Sequence, residues 1–212
     1  MSFSKLISKI LQVLGSRAFL LLLASLLVIS FTIAYVASDP RPQERFLSIS
    51  TLGSDMVSSN YYSRGNSTIY VHQHVNWNLD VYNRMGTTEY LSVRVKLLNS
   101  TQIMPDDDLH IPSPEKELIE MRYMLPNNAT WVVPLDWVIR QIVHESEYVV
   151  IKSLDINGIE IDDLNIRSVH GKNFRMIIEL WRYDKEIEDF GFAWSSGLDN
   201  RSAWNQIWFN LK

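Results

Sequence analysis

The sequence predicts an all-β fold, an antiparallel β-sandwich standing behind one N-terminal transmembrane helix. Three observations carry that expectation. Ala18 to Ala37 is apolar or small throughout and carries no charge. Beyond it, apolar and polar residues alternate in many short runs separated by turn residues. The 212 residues contain no cysteine but are 46% hydrophobic, so a core has to be held by packing alone. That composition excludes a disordered chain, a disulfide scaffold, cysteine metal sites and thiol catalysis. A formal net charge of −4 argues against nucleic acid as a partner.

The apolar run sets the membrane topology. About twenty apolar residues cross a hydrocarbon core as a helix, so residues 18–37 are expected to span the membrane. Lys5, Lys9 and Arg17 precede the span with no acidic residue beside them, while Asp39, Arg41, Glu44 and Arg45 follow it in mixed sign. The positive-inside bias therefore puts residues 1–17 in the cytoplasm and the bulk of the chain outside. Val36-Ala37-Ser38 resembles a cleavage site, but the apolar run exceeds a usual signal-peptide core, which favours an uncleaved signal-anchor. Phe3, Leu6, Ile7, Ile10, Leu11 and Leu14 recur at helical spacing. They either form an amphipathic helix lying on the inner surface or extend the anchor. Ser30, Ala34 and Ser38 give the span a small-residue face.

Residues 38–45 (SDPRPQER) read as a polar linker, and 46–212 as one extracytoplasmic domain. Acidic residues outnumber basic ones by seven beyond the span. Four glycosylation sequons, at Asn66, Asn99, Asn128 and Asn200, all lie on the predicted outer side.

The strands follow in order. Residues 46–52 form a first strand closed by Gly53-Ser54-Asp55. From 69 to 81, Ile69, Val71, Val75, Trp77, Leu79 and Val81 share one parity, while Tyr70, His72, His74, Asn76, Asn78 and Asp80 share the other. That is one long strand with a buried and a wet face. Asn83-Arg84-Met85-Gly86 turns into a partner strand carrying Leu91, Val93, Val95 and Leu97. Residues 102–116 are a polar loop, and Ile119, Met121, Tyr123 and Leu125 alternate as a strand, although Ser113-Pro114-Glu115 could open a helix. Leu135, Val138, Ile139 and Ile142 recur at helical spacing after Pro134, which predicts a short helix. Asn157-Gly158 marks a hairpin. Phe174, Met176, Ile178 and Leu180 alternate, and an aromatic strand runs from Trp204 to Leu211. The expected core is Val71, Val75, Trp77, Leu79, Val93, Val95, Phe174, Ile178 and Leu180.

Several local runs carry a family likeness. They are Leu52-Gly53-Ser54, Asn60-Tyr61-Tyr62, Val81-Tyr82-Asn83, Glu89-Tyr90, Val93-Arg94-Val95, Thr130-Trp131 and Glu179-Leu180-Trp181-Arg182-Tyr183-Asp184. With them the chain resembles an archaeal family of membrane-anchored proteins that carry one extracytoplasmic domain of unknown function, with members in ammonia-oxidising archaea. The resemblance covers nearly the whole outer domain. It implies an immunoglobulin-like sandwich and an envelope location, and it supplies no catalytic residues.

The chemistry-bearing candidates are few. His72 and His74, two apart on a strand, would share its polar face, an arrangement copper or zinc sites use. Asp106-Asp107-Asp108 could offer oxygens to calcium, but consecutive carboxylates diverge and no EF-hand spacing follows. The aromatic C-terminal quarter offers Trp194, Trp204 and Trp208 as interaction residues, with Trp194, beside Ser195-Ser196-Gly197, expected to be the most exposed. There is no nucleophile elbow, P-loop or dinucleotide fingerprint. The leading expectation is a non-enzymatic, single-pass envelope glycoprotein without a cofactor. It would act by binding, as an accessory subunit of a membrane complex or a cell-surface component. Its partners would be membrane lipid, through the anchor, and other membrane or envelope proteins. The alternatives are a copper-binding or copper-enzyme subunit using His72 and His74, and a carbohydrate-binding surface domain.

Overall fold

A computed structural model describes residues 12, 15–38, 44–63, 65–196 and 199–212. Most of the 1–17 segment and most of the 38–45 linker lie outside the described residues. The chain divides into two units, residues 1–43 and 44–212.

In the first unit, α1 (Arg17–Ser38) starts where expected, and its last twenty residues are long and apolar enough to cross a membrane. At about 1.5 Å per residue, its 22 residues reach about 33 Å, the thickness of a hydrocarbon core. The Ser16 hydroxyl accepts from the Phe19 N–H at 3.1 Å and caps the first turn. Ser25 donates to the Leu21 carbonyl at 2.7 Å and Thr32 to the Val28 carbonyl at 2.8 Å. These two hydroxyls are thus satisfied within the helix, as an apolar surrounding favours. Ser38 also turns back, onto the Tyr35 carbonyl.

The second unit is a sandwich of two β-sheets. The first sheet runs β1 (Leu47–Leu52), β3 (Val75–Asn83), β6 (Thr130–Glu145), β7 (Tyr148–Ile156) and β8 (Ile159–Ile161), with β9 (Ile166–Val169) also on β7. The second runs β2 (Thr68–Ile69), β14 (Ala203–Leu211), β10 (Phe174–Asp184), β4 (Glu89–Leu98) and β5 (Ile119–Leu125), with β11 (Asp189–Gly191) on β10. A small hairpin, β12 (Trp194–Ser196) with β13 (Asp199–Arg201), stands apart. All pairings are antiparallel except β2 with β14. The late strand β10 lies between the early β4 and the last strand β14, and β3 lies between β1 and β6. This is the interlocked order of an immunoglobulin-like sandwich, as the sequence led one to expect.

The core fills the space between the sheets. Trp77 is 1% exposed. Its ring meets Trp137 edge-on at 5.2 Å, Trp137 meets Phe209 at 5.2 Å, and Phe209 stacks on Phe174 at 5.6 Å. Of the nine residues expected in the core, eight are buried, and Val71 packs against them half-buried. One edge is stitched by side chains: Asn205 donates to the Ile49 carbonyl at 2.9 Å and Thr51 to the Asn205 side-chain oxygen at 3.2 Å.

Three expectations need correction. The long strand over 69–81 is broken. β2 belongs to one sheet and β3 to the other, and residues 70–74 turn between them with His72 at φ 63°. Alternation survives because both pieces bury the same parity against one core. The helix over 135–142 is part of the sixteen-residue strand β6. A bulge between Ile139 and Ile142 shifts the register there, so the inward positions change parity and imitate a helical period. Val132, Val133, Val138, Ile139, Ile142 and Val143 favour the strand that forms. The Asn-Gly hairpin holds, with Asn157 at φ 53° and Gly158 at φ 80°, as its turn demands.

The third correction concerns β10, which buries Arg175, Ile177 and Glu179 as well as the expected parity. Over β4 and β10 the outer face of the second sheet is also covered. Residues 99–113 close over it at one end, where Lys96 donates to the Ser113 carbonyl and Arg175 to the Asn99 and Gln102 carbonyls. Farther along, Phe190 packs on Tyr90 and Phe192 on Trp181.

Tyr62 fixes the chain between β1 and β2. Its hydroxyl donates to the Trp208 carbonyl at 2.8 Å, and burial pushes the phenol far above its ordinary range. The unfolded chain ionises this group near pH 10, whereas the fold keeps it protonated. Its stabilising contribution is therefore complete below about pH 10 and is lost as pH rises further. Tyr62→Phe is expected to flatten the alkaline fall in stability, read as denaturant midpoints from about pH 9 to 12. An unchanged slope would contradict the assignment.

Candidate functional site: a cleft beside the β12–β13 hairpin

The ends of β4 and β10 define the candidate site. Glu89 opens β4 and is buried, and its carboxylate accepts from Arg182 Nε at 2.6 Å and from the Thr87 hydroxyl at 2.6 Å. Tyr90, the next residue, turns outward onto Phe190 at 5.0 Å and Tyr183 at 5.8 Å. The strand alternation thus sends the acid to an ion pair and the phenol to an aromatic wall. Above them lies an open cleft of about 980 Å³, lined by Glu89, Tyr90, Arg182, Tyr183, Trp194 and Asn200 among others. A second hollow of about 610 Å³ shares Trp194 and Asn200 with it and adds Glu44, His110 and Arg201. Arg201 pairs with Glu44 at 3.0 Å, and His110 Nδ1 lies 3.1 Å from the Ser202 hydroxyl.

Trp194 therefore forms a wall between two hollows. It is 5% exposed, which corrects the expectation that it would be the most exposed tryptophan. Its indole N–H is buried without an acceptor among the described residues. An unmade bond of this kind costs about 1–3 kcal/mol, so the packing around the hairpin is what holds the ring in place. Trp204 is half-buried and donates to Asp107 at 2.5 Å. Trp208 is 40% exposed, under the Arg175 guanidinium at 4.9 Å. The three do not form one exposed row.

Along the outer face from the cleft, Glu120 collects donors. It accepts from Ser92 at 2.7 Å, from Arg94 twice at 3.1 Å, and from Arg122. Burial alone would raise this carboxyl, but hydrogen bonds from Arg122, Ser92 and Arg94 outweigh it and hold the group below the usual carboxylate range. The stability it contributes is present above the unfolded value near pH 4.3 and is lost as pH falls through the lower folded value. Glu120→Gln is expected to make the acid unfolding curve shallower below about pH 4.5. A curve as steep as that of the parent would rule the network out as its source.

The histidine pair is not assembled. His72 sits in the turn, its backbone N–H donating to the Ile139 carbonyl, while His74 Nδ1 lies 3.0 Å from Asp136. They share no strand face. Among the described residues no three His, Asp or Glu side chains group as a metal site. In the acidic loop, Asp106 accepts from the Asp108 and Leu109 N–H groups and Asp107 accepts from Trp204, so these carboxylates serve turns and docking. Of the sequon residues, Asn66, Asn128 and Asn200 are exposed. The Asn99 amide donates to the Arg167 carbonyl at 2.9 Å.

No family model and no curated protein matches the chain. Among solved structures it is similar to the CARDB domain of a Pyrococcus furiosus protein, determined in complex with di-metal ions. The identity is 11%, with 80% of this chain and 90% of that chain covered and a TM-score of 0.38.

Proposed function

We propose that this chain is a single-pass envelope protein whose sandwich, held outside the cell, acts by binding rather than by catalysis. Its role is that of an accessory subunit of a membrane complex or a component of the cell surface. The observation that carries the reading is one apolar helix followed by a sandwich whose buried ionisable groups are spent on structural partners. Glu89, Lys96, Glu179 and Arg175 each hold strands or loops together. The open cleft beside Trp194 gathers aromatic and charged side chains, among them Tyr90, Tyr183, Asp184, Lys185 and Glu186. The basic flank before the helix and the four sequons after it support an outside location. The likeness to the archaeal envelope family supports it too.

The test is purification of the full chain from its native membrane in a gentle detergent. Co-purifying proteins are identified by mass spectrometry and metals are measured in the same sample. Stoichiometric partner chains that are lost with Trp194→Ala or Tyr183→Ala support the reading and place the partner on the cleft. A stoichiometric metal, or turnover of a substrate by the purified chain, would overturn it.

A further inference from the structure

A third cavity lies elsewhere on the sandwich. It measures about 390 Å³ and sits where the turn after β4 meets β9 and the β9–β10 turn. Arg167, His170 and Lys172 line it together with Tyr148, Thr101 and Asn173. No carboxylate lines it, in a domain whose acidic residues outnumber its basic ones by seven. Uniform sign within an oppositely charged surface is the signature of a site that concentrates anions.

Its frame is fixed by the fold. The Asn99 amide donates to the Arg167 carbonyl at 2.9 Å, and Asn99 is itself clamped by Arg175 at 3.1 Å. His170, Gly171 and Asn173 all have left-handed backbones, at φ 51°, 68° and 60°. A Cβ on Gly171 would lie 2.3 Å from the Leu211 carbonyl, so the turn fits against the end of β14 only with glycine there. The Asn173 N–H is fixed on the Asn210 side chain at 3.0 Å. The Arg167 guanidinium lies 5.4 Å over the Tyr148 ring. A guanidinium held by its face keeps the N–H fork at its edge for a planar or tetrahedral oxyanion.

We propose that this cavity binds a compact oxyanion, the phosphate, sulfate or carboxylate of a ligand about the size of one sugar ring. Arg167 supplies the fork, Lys172 the point charge, and the Asn173 side-chain amide a neutral donor, while the Thr101 hydroxyl, which donates to the Asn99 side-chain oxygen at 2.9 Å, helps fix the rim. The site is separate from the cleft beside Trp194 and stands or falls without it.

Calorimetric titration of the full chain in a neutral detergent tests this at constant ionic strength. The probes are inorganic phosphate, sulfate and glucuronate, with chloride as the reference. The variant Arg167→Gln/Lys172→Gln is compared with Arg140→Gln/Lys152→Gln, which removes the same charge from β6 and β7. The first is expected to weaken binding at least about tenfold and the second less than about twofold, with all three proteins melting alike without ligand. Tighter phosphate or sulfate would identify a phosphoryl or sulfuryl group as the ligand, and tighter glucuronate a uronic sugar. Either ranking upholds the site. Binding no stronger than that of chloride, or equal weakening in both double variants, would overturn it.

Discussion

Trp77→Ala is expected to destabilise the sandwich by about 3–5 kcal/mol, the cost of deleting a large ring from a packed core. Trp77 is 1% exposed and lies against Tyr61, Tyr62 and Trp137. Its indole also donates to the Tyr61 carbonyl at 2.7 Å, an acceptor that alanine leaves unsatisfied. Against a total stability of about 5–15 kcal/mol, that loss leaves the domain marginal. Trp77→Phe keeps most of the apolar area but not the donor and should cost about half as much. Denaturant midpoints of the three proteins decide it. A near-neutral Trp77→Ala would contradict the inward parity of β3.

The second large effect is expected at the buried ion pair of the outer face. Lys96 Nζ lies 2.9 Å from Glu179, whose side chain is wholly buried and also accepts from the Ser113 N–H at 2.9 Å and the Trp181 indole at 3.0 Å. Lys96 in turn donates to the Ser113 carbonyl at 2.6 Å. Removing one partner leaves an unpaired buried charge, so Lys96→Met and Glu179→Gln should each cost about 3–5 kcal/mol. The double variant removes both charges and leaves an amide that can still accept from Ser113. It should be no less stable than either single variant, a coupling of more than about 1 kcal/mol in the cycle. Additive losses would show that the two groups act independently. Hydrogen exchange should report the same event as loosening of residues 102–116, which the pair holds through Ser113.

Much of the fold was legible because the strands that face the core carry an apolar parity on that side. Val75, Trp77, Leu79, Val93, Val95, Ile178 and Leu180 alternate without exception, and each is inside. The two failures have opposite causes. β6 carries a bulge, and a two-residue periodicity that slips once looks like a three-and-a-half-residue one. The break at residues 70–74 was hidden because a strand that changes sheets keeps its inward parity.

The candidate sites were less legible because they depend on contacts distant in sequence. Glu89 meets Arg182 across 93 positions, and Asn99 meets Arg167 across 68. Nothing in the local pattern of either residue marks it. His72 and His74 misled for the opposite reason: their spacing was informative only if the strand was continuous. Trp194 was expected outside because a Ser-Ser-Gly turn follows it, but the ring itself packs inward. A signal was present in Arg175 and Glu179, charged residues within the apolar run Phe174–Leu180, which only a second covering layer could have accommodated.

That covering layer has an evolutionary consequence. A sheet with one wet face can change half its side chains at little cost, and sequences drift fastest there. In the second sheet five outward positions of β4 and β10, Ser92, Lys96, Arg175, Ile177 and Glu179, are as enclosed as the inward ones. Tolerance to substitution should therefore be lopsided across the molecule. It should be broad on the wet face of β3 at Asn76 and Asn78, and narrow on both faces of β10. Variation between descendants of this chain would then accumulate on one side of the sandwich and leave the other nearly unchanged.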